Sequence, residues 1–170
     1  MNKGLVHLYW GEGKGKTTAA FGLALRMLGS GGSVTVVQFL KDGQSSELEP
    51  LRRLGAKIYS GQPGTGFFSQ MSPEERQRVR ARHDELLRQA VSEACDLLIL
   101  DEACAACRLK MVDEQLLWHS VLDRPVGQEI VLTGRDPADW MQEAADYSTE
   151  MCCHKHPYQQ GIIARRGVEY

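Results

Sequence analysis

Three stretches of the sequence combine residue types that could bind a phosphorylated ligand. The first is GEGKGKT at residues 11–17, in which glycines alternate with lysines and the run ends at Thr17. Glycines allow successive backbone N–H groups to face one anion, a lysine adds positive charge, and a threonine hydroxyl can bind Mg²⁺. The usual phosphate loop is G-x-x-x-x-G-K-[ST]. Its first glycine would fall at Trp10, so this loop is one residue shorter than usual.

The other two stretches are LLILDE at residues 97–102 and TGR at residues 133–135. An apolar strand that ends in an acid is the usual second half of a phosphate-loop site, where the carboxylate reaches the metal directly or through water. Asp101 and Glu102 are therefore candidate metal ligands, together with Thr17. Arg135 could face the ligand or be a simple charge at a strand end. The three stretches together predict a nucleoside triphosphate site with magnesium.

The elements that would position these residues alternate along the chain. Strands are predicted at residues 5–10, 33–40, 56–60, 97–100, 129–135 and 149–153, and helices at residues 16–28, 46–54, 73–94, 113–122 and 137–147. Such alternation predicts an α/β fold with a mostly parallel sheet between two helical layers. We therefore expect a single three-layer P-loop (RecA-like) domain over residues 1–170. The three stretches would meet at the carboxyl ends of its strands.

Composition limits the other function classes. Net charge is −2, and residues 76–88 are rich in arginine but carry acids as well, which favours a solvated helix face over a nucleic-acid surface. No apolar run approaches the roughly 20 residues that cross a bilayer. The first residues enter a strand-like run without a signal-peptide pattern. We expect a cytoplasmic protein without nucleic-acid or membrane partners.

The five cysteines are an odd number in a chain of intracellular character, so a disulfide framework is not expected. Cys104 and Cys107 form a C-x-x-C that residues 152–156 could complete as a zinc site. The alternative is that Cys104 and Cys107 are small buried residues of an alanine-rich stretch, and we favour it.

Several longer runs resemble one family. They are GEGKGKTTAAFGLALRMLG, VVQFLK, LLILDE, IVLTGR, ADYSTEM and KHPYQQGIIARRGVEY. In this order they are similar to the P-loop ATP:corrinoid adenosyltransferases of the CobA or BtuR type, over nearly the whole chain. The closing HP-x-x-x-GI-x-ARRG-[IV]-E-[YF] is the most specific of them, and the shortened loop is itself a feature of that family.

The resemblance implies a reaction. Co(I) of a reduced corrinoid, cobalamin or cobinamide, attacks the 5′ carbon of ATP, the adenosyl group moves to cobalt, and triphosphate leaves. The family binds ATP in the reverse sense to other P-loop proteins, with the γ-phosphate where others place the α-phosphate. The resemblance further implies Mg²⁺ bound with ATP, a reduced flavoprotein as electron donor and a homodimer.

Site residues carried over from the family are as follows. Lys16 and Glu102 are the expected catalytic residues. The ATP-binding residues would be Gly11, Glu12, Gly13, Lys14, Gly15, Lys16, Thr17, Thr18 and Arg26. Arg26 could instead be a solvated arginine on the first helix.

The candidate corrinoid-binding residues are Phe67 and Phe68, which follow a glycine-rich loop. Bulky apolar side chains under the corrin ring could keep the lower axial ligand off the cobalt, although both residues could equally be core aromatics. Longer family members carry a Phe and a Trp here in another context, and have an N-terminal extension that is not expected in this chain.

Two other functions stay open from sequence. An ordinary P-loop ATPase or kinase would yield ADP and phosphate or a phosphorylated acceptor. A non-catalytic corrinoid carrier would release its ligand unchanged.

Overall fold

A six-stranded sheet forms the centre of the computed structural model, which describes residues 4–61 and 68–169. Its strands are β1 (Val6–Trp10), β2 (Val34–Gln38), β3 (Lys57–Tyr59), β4 (Leu97–Asp101), β5 (Glu129–Gly134) and β6 (Tyr147–Glu150). The helices are α1 (Lys16–Gly29), α2 (Leu48–Arg53), α3 (Pro73–Val91), α4 (Ala103–Arg108), α5 (Glu114–Leu122) and α6 (Asp139–Ala144). Two short 3₁₀ helices cover Phe68–Gln70 and Pro157–Gln160.

The strand order is β3-β2-β4-β5-β1-β6, and every neighbouring pair is parallel. Parallel strands place their carboxyl ends at one edge. Gln38 pairs with Asp101 across β2 and β4, and Trp10 pairs with Gly134 across β1 and β5. The three predicted phosphate-site stretches therefore begin at the same edge of the sheet.

Two hydrophobic cores lie on opposite faces of this sheet. Leu98 and Leu100 of β4 pack in the core that contains Leu87 of α3, whereas Leu97 and Ile99 pack in the core that contains Phe21 of α1. Side chains of a strand alternate between faces, so one apolar run supplies both cores. This arrangement confirms the predicted three-layer α/β class.

The predicted bounds lie within three residues of the observed helices and strands, and one helix was not predicted. The stretch at residues 103–108 folds as α4, which was not predicted as a separate helix. The predicted helix at 137–147 ends at Ala144, because Ala145 is already extended (ψ 124°) and leads into β6. The predicted strand at 149–153 consequently begins earlier, at Tyr147, and ends at Glu150.

Among the described residues, none of the helices combines the length and the apolar character that crossing a membrane requires.

Candidate active site

The shortened loop leads directly from the end of β1 into α1. Gly11 (φ 106°) and Gly15 (φ 115°) have the left-handed backbone that only glycine adopts without strain. They turn the chain so that α1 begins at Lys16. The Lys16 ammonium donates to the Gly13 carbonyl oxygen over 2.7 Å, which folds this side chain back over the loop.

The end of β6 lies against the loop. The Gly13 N–H donates to the Met151 carbonyl oxygen over 2.6 Å, and the Met151 N–H donates to the Trp10 carbonyl oxygen over 2.7 Å. A Cβ at Gly13 would lie 2.6 Å from the same Met151 oxygen, a distance that real Cβ atoms do not reach. Gly13 is therefore required by the close approach of another backbone segment.

Asp101 joins the three strand ends. It is fully buried, and both of its carboxylate oxygens accept two hydrogen bonds. Oδ1 accepts from the hydroxyls of Thr17 and Thr133, each over 2.7 Å. Oδ2 accepts from the Gln38 amide over 3.1 Å and pairs with the Lys41 ammonium over 2.7 Å. The carboxylate is thus saturated by the chain itself.

Glu102 differs from its neighbour. Its backbone is left-handed (φ 61°) and its N–H donates to the Thr133 hydroxyl over 3.0 Å. Within the described parts of the chain, its carboxylate has neither a hydrogen bond nor an ion pair. Burial raises the pKa of Glu102, and the nearby Asp101 charge raises it further. The group is poised to receive a positive charge.

A cavity of about 720 Å³ lies over the loop. Its lining includes Lys14, Lys16, Thr17, Thr18, Lys41, Glu102, His156 and Glu169. Burial lowers the pKa of Lys16, and the neighbouring Arg135 charge adds to this effect while Glu102 opposes it. Several cations close to the half-buried Glu102 suit an anionic ligand that brings a metal ion.

The C-terminal segment borders the same cavity. The Lys14 ammonium donates to the Val168 carbonyl oxygen over 3.0 Å. Arg165 holds the Glu169 carboxylate through its guanidinium and its backbone N–H. The pKa of Glu169 is lowered, chiefly by its hydrogen bonds to Arg165.

Other predicted site residues lie near or away from this cavity. Glu12 pairs with Arg135 over 2.9 Å, so Arg135 lies beside the loop. Arg26 is exposed on the last turn of α1, about 15 Å along the helix axis from Lys16. The structure does not bring Arg26 to the cavity, because a helix rises too far over ten residues.

The predicted corrinoid-facing aromatics are only partly described. Phe68 is half-buried in a 3₁₀ helix, and its ring lies under the Arg76 guanidinium at 4.2 Å from the ring centroid. Phe67 lies outside the described residues.

Four of the five cysteines fall into two groups, and the fifth, Cys95, is half-buried. Cys104 and Cys107 are buried in α4, whereas Cys152 and Cys153 are exposed after β6. In the described part of the chain, His, Cys, Asp and Glu side chains do not gather in groups of three or more that could hold a metal ion.

The sequence interpretation missed several residues that the structure brings to the site. They are Gln38, Lys41, Met151, Val168 and Glu169. A signal existed for Gln38, which is a polar residue in a largely apolar strand run, and Thr133 already belonged to the predicted TGR stretch. No local signal indicated Met151, because its contribution is a backbone carbonyl.

The amino-acid sequence is similar to those of known proteins. Residues 2–170 match the family model described as ATP:corrinoid adenosyltransferase BtuR/CobO/CobP. The chain is 35% identical to a corrinoid adenosyltransferase of Pseudomonas aeruginosa, over 99% of this chain and 84% of that protein. It is 30% identical to a corrinoid adenosyltransferase of Escherichia coli K12, over 99% of this chain and 86% of that protein.

The Xyl-CE4 domain of a multidomain xylanase from the hindgut metagenome of Trinervitermes trinervoides is 13% identical with a TM-score of 0.31, covering 99% of this chain and 96% of that one.

Proposed function

Since the chain belongs to the ATP:corrinoid adenosyltransferase family, we propose that its ATP binds in the cavity over residues 11–17. The enzyme transfers the 5′-deoxyadenosyl group of ATP to Co(I) of a reduced corrinoid and releases triphosphate. What we propose in addition is the division of this reaction among the residues of the site.

One observation carries the assignment: Asp101 links the loop to two neighbouring strands. Its Oδ1 holds both Thr17 and Thr133, and Thr133 in turn holds the Glu102 N–H. The loop, the acid and the strand ends therefore form one connected unit. Lys16, Thr17 and Glu102 all line the same cavity, as a site for a triphosphate with its metal requires.

The residues present fit Mg²⁺. The Thr17 hydroxyl donates its proton to Asp101, so its lone pairs are left for a cation, and the Glu102 carboxylate offers a hard oxygen ligand. Mg²⁺ usually takes one or two protein ligands plus phosphate oxygens and water, which agrees with so small a set. We propose that Thr17 and Glu102 hold Mg²⁺. The saturated Asp101 orients Thr17 and reaches the metal through that hydroxyl or through water.

The transfer requires alignment of the reacting atoms and stabilisation of charge on the leaving group more than it requires proton transfer. The Co(I) electron pair forms the Co–C5′ bond while the C5′–O bond breaks, and the electrons of that bond leave on triphosphate. No proton moves in this step, so no general base is needed. Mg²⁺ would supply further positive charge for the leaving oxygens. We propose Lys16 as the catalytic cation, since charge that grows on the leaving group interacts with it more strongly in the transition state.

Lys16 is ready for this role. Among the described residues, its ammonium has one hydrogen-bond partner, the Gly13 carbonyl oxygen, and a phosphate oxygen can replace that contact. Lys14 makes a similar backbone contact, with Val168. The proposed ATP-binding set is therefore residues 11–18, and Arg26 would contribute only through a long-range field.

We also propose that ATP lies in the reverse sense, with its ribose end toward the corrinoid. The shortened loop supports this, because the Met151 carbonyl oxygen already takes the Gly13 N–H. A loop with one fewer residue and one amide in use cannot hold the phosphates as the usual loop does.

For the corrinoid we propose the region of Phe67 and Phe68. The Arg76 guanidinium already covers one face of the Phe68 ring, so a corrin ring could contact only the other face. Phe68→Ala should slow the reaction of Co(II) with a reductant more than the reaction of pre-reduced Co(I). Equal slowing of both would remove Phe68 from this role.

Three partners or settings belong to the proposal as well: a reduced flavoprotein as electron donor, a homodimer and a cytoplasmic location. Sedimentation of the purified enzyme with and without MgATP tests the dimer directly.

The deciding experiment is an anaerobic assay with MgATP and chemically reduced cob(I)alamin. We expect loss of the Co(I) absorbance, with adenosylcobalamin and inorganic triphosphate formed one to one. The same assay on Thr17→Val and Glu102→Gln tests the site. Wild-type rates in both variants would show that the reaction takes place elsewhere on the molecule.

A further inference from the structure

A buried histidine that the reaction does not use lies behind the site. His83 of α3 is fully buried, and both ring nitrogens are engaged. Nε2 lies 3.2 Å from the Leu40 backbone nitrogen and Nδ1 lies 2.8 Å from the Met111 carbonyl oxygen. A backbone N–H can only donate and a carbonyl can only accept. The ring is therefore neutral, with its proton on Nδ1.

The Leu40 contact fixes an unusual turn. Leu40 is one of the few residues other than glycine with a left-handed backbone (φ 58°), a conformation that persists only where the surroundings hold it. The ring of His83 also packs edge-on against Phe39, at 5.3 Å between centroids. His83 therefore holds the chain just beyond β2 in place through Phe39 and Leu40.

The residue that this turn presents is Lys41. Its ammonium lies 2.7 Å from Asp101 Oδ2, and its side chain is 26% exposed. It lines the same cavity as Lys16 and Thr17. Gln38 also donates to Asp101 Oδ2, so this oxygen keeps a partner if Lys41 turns toward a ligand.

We propose that Lys41 is a further ATP-contacting residue, which binds the triphosphate, and that His83 is its positioning residue. The inference rests on the proposed ATP cavity. An ammonium has three donors, so Lys41 can keep one bond to Asp101 and give another to a phosphate oxygen. Its charge would then act on the leaving triphosphate together with that of the loop lysines, which line the same cavity.

The first test compares ligands with and without phosphate. Binding of ATP, inorganic triphosphate and adenosine is measured by calorimetry for Lys41→Gln. A lost hydrogen bond to a charged group predicts affinity for ATP and triphosphate lower by about tenfold or more, with adenosine unchanged. Lys57→Gln is the matched control, because it removes a lysine that pairs with Glu93 outside the cavity. Unchanged triphosphate binding, or an equal loss for all three ligands, would overturn the role of Lys41.

The second test uses two substitutions of His83 that differ in which contact survives. The Gln amide oxygen can replace Nε2 and accept from Leu40, whereas the Asn amide nitrogen can replace Nδ1 and donate to Met111. Each loses one buried hydrogen bond, so both should lower the melting temperature. Only His83→Asn should lower triphosphate affinity, and it should add nothing in a Lys41→Gln background. Equal effects of both variants on triphosphate binding, or additivity with Lys41→Gln, would contradict positioning through Leu40.

Lys16→Ala tests the ATP cavity independently of Lys41. Unchanged ATP affinity in Lys16→Ala would mean that the cavity itself is misassigned. Loss of ATP affinity in Lys16→Ala with wild-type affinity in Lys41→Gln would overturn the role of Lys41 and leave the ATP cavity in place.

Discussion

The Gly13 N–H donates to the Met151 carbonyl oxygen over 2.6 Å, so a donor of the phosphate loop is satisfied by the chain before any ligand binds. In the usual loop such amides face the phosphates. The contact also ties the loop to β6, the strand at one edge of the sheet. The shortened loop is therefore held by a second backbone segment, at Met151, which lies far away along the sequence.

This contact predicts the effect of a single methyl group at Gly13. A Cβ there would meet the backbone oxygens of Met151 at 2.6 Å and Cys152 at 2.9 Å, and backbone cannot rotate away as a side chain can. We expect Gly13→Ala to weaken ATP binding by tenfold or more, on the order of 1.4 kcal/mol. Equilibrium binding of ATP measures this.

The matched control is Gly22→Ala, which makes the same change in the interior of α1. A Cβ at Gly22 meets nothing within 4 Å, and alanine favours a helix over glycine by roughly 1 kcal/mol. Gly22→Ala should raise the melting temperature and leave ATP binding unchanged. Equal ATP affinity in both variants would show that the Met151 contact does not shape the phosphate site.

Lys16→Ala should abolish turnover while the fold is retained. Within residues 4–61 and 68–169 the Lys16 ammonium has one hydrogen bond, to the Gly13 carbonyl oxygen, so little structure depends on it. Loss of a cation beside the leaving group should lower kcat by about a hundredfold or more. Rates with saturating MgATP measure turnover, and circular dichroism of the same sample measures whether the fold is retained. Near-normal turnover would remove the catalytic role of Lys16.

The two buried and the two exposed cysteines should react in two classes. Burial raises the pKa of Cys104 to about 12 and of Cys107 to about 11. At pH 8 the reactive thiolate is then about one part in ten thousand at Cys104. A pulse of iodoacetamide followed by peptide mass spectrometry should label the exposed Cys152 and Cys153 first. Fast labelling of Cys104 in the folded protein would contradict its placement inside α4.

Much of the fold could be predicted from the sequence, because the patterns that predict strands, helices and the phosphate loop lie in adjacent residues. A buried strand such as β4 is a continuous apolar run, and α3 begins with a capping box at Ser72 and a proline. The order of loop, GKT and helix likewise identified the phosphate loop. These features depend on residues that are adjacent in the chain.

The rest depends on contacts between distant segments. The bond from Gly13 to Met151 and the pairing of Lys41 with Asp101 arise only after the strands take their order in the sheet. Helix α4 escaped prediction for a related reason. Its start at Ala103 follows the left-handed Glu102, which lacks a side-chain cap that a sequence pattern would reveal.

Glu102 gives a prediction in which stability and ligand binding change in opposite directions. Burial raises its pKa above the ordinary 4.5, so the folded protein binds a proton more tightly than the unfolded chain does. This stabilisation is fully present below pH 4.5 and is lost as the pH rises through the folded pKa. Without ligand, Glu102→Gln should therefore be more stable than wild type at pH 8, and its melting temperature should lack this part of the pH dependence.

Mg²⁺ bound with ATP should reverse that order, because the ion needs the charged carboxylate. Wild type should gain melting temperature from MgATP above the folded pKa of Glu102 and gain less as the pH falls through it. Glu102→Gln should gain little from MgATP over ATP alone at any pH, whereas Glu143→Gln on the exposed face of α6 should respond as wild type does. Thermal melts with ATP, with and without Mg²⁺, measure this difference. A full magnesium response in Glu102→Gln would place the metal on other ligands.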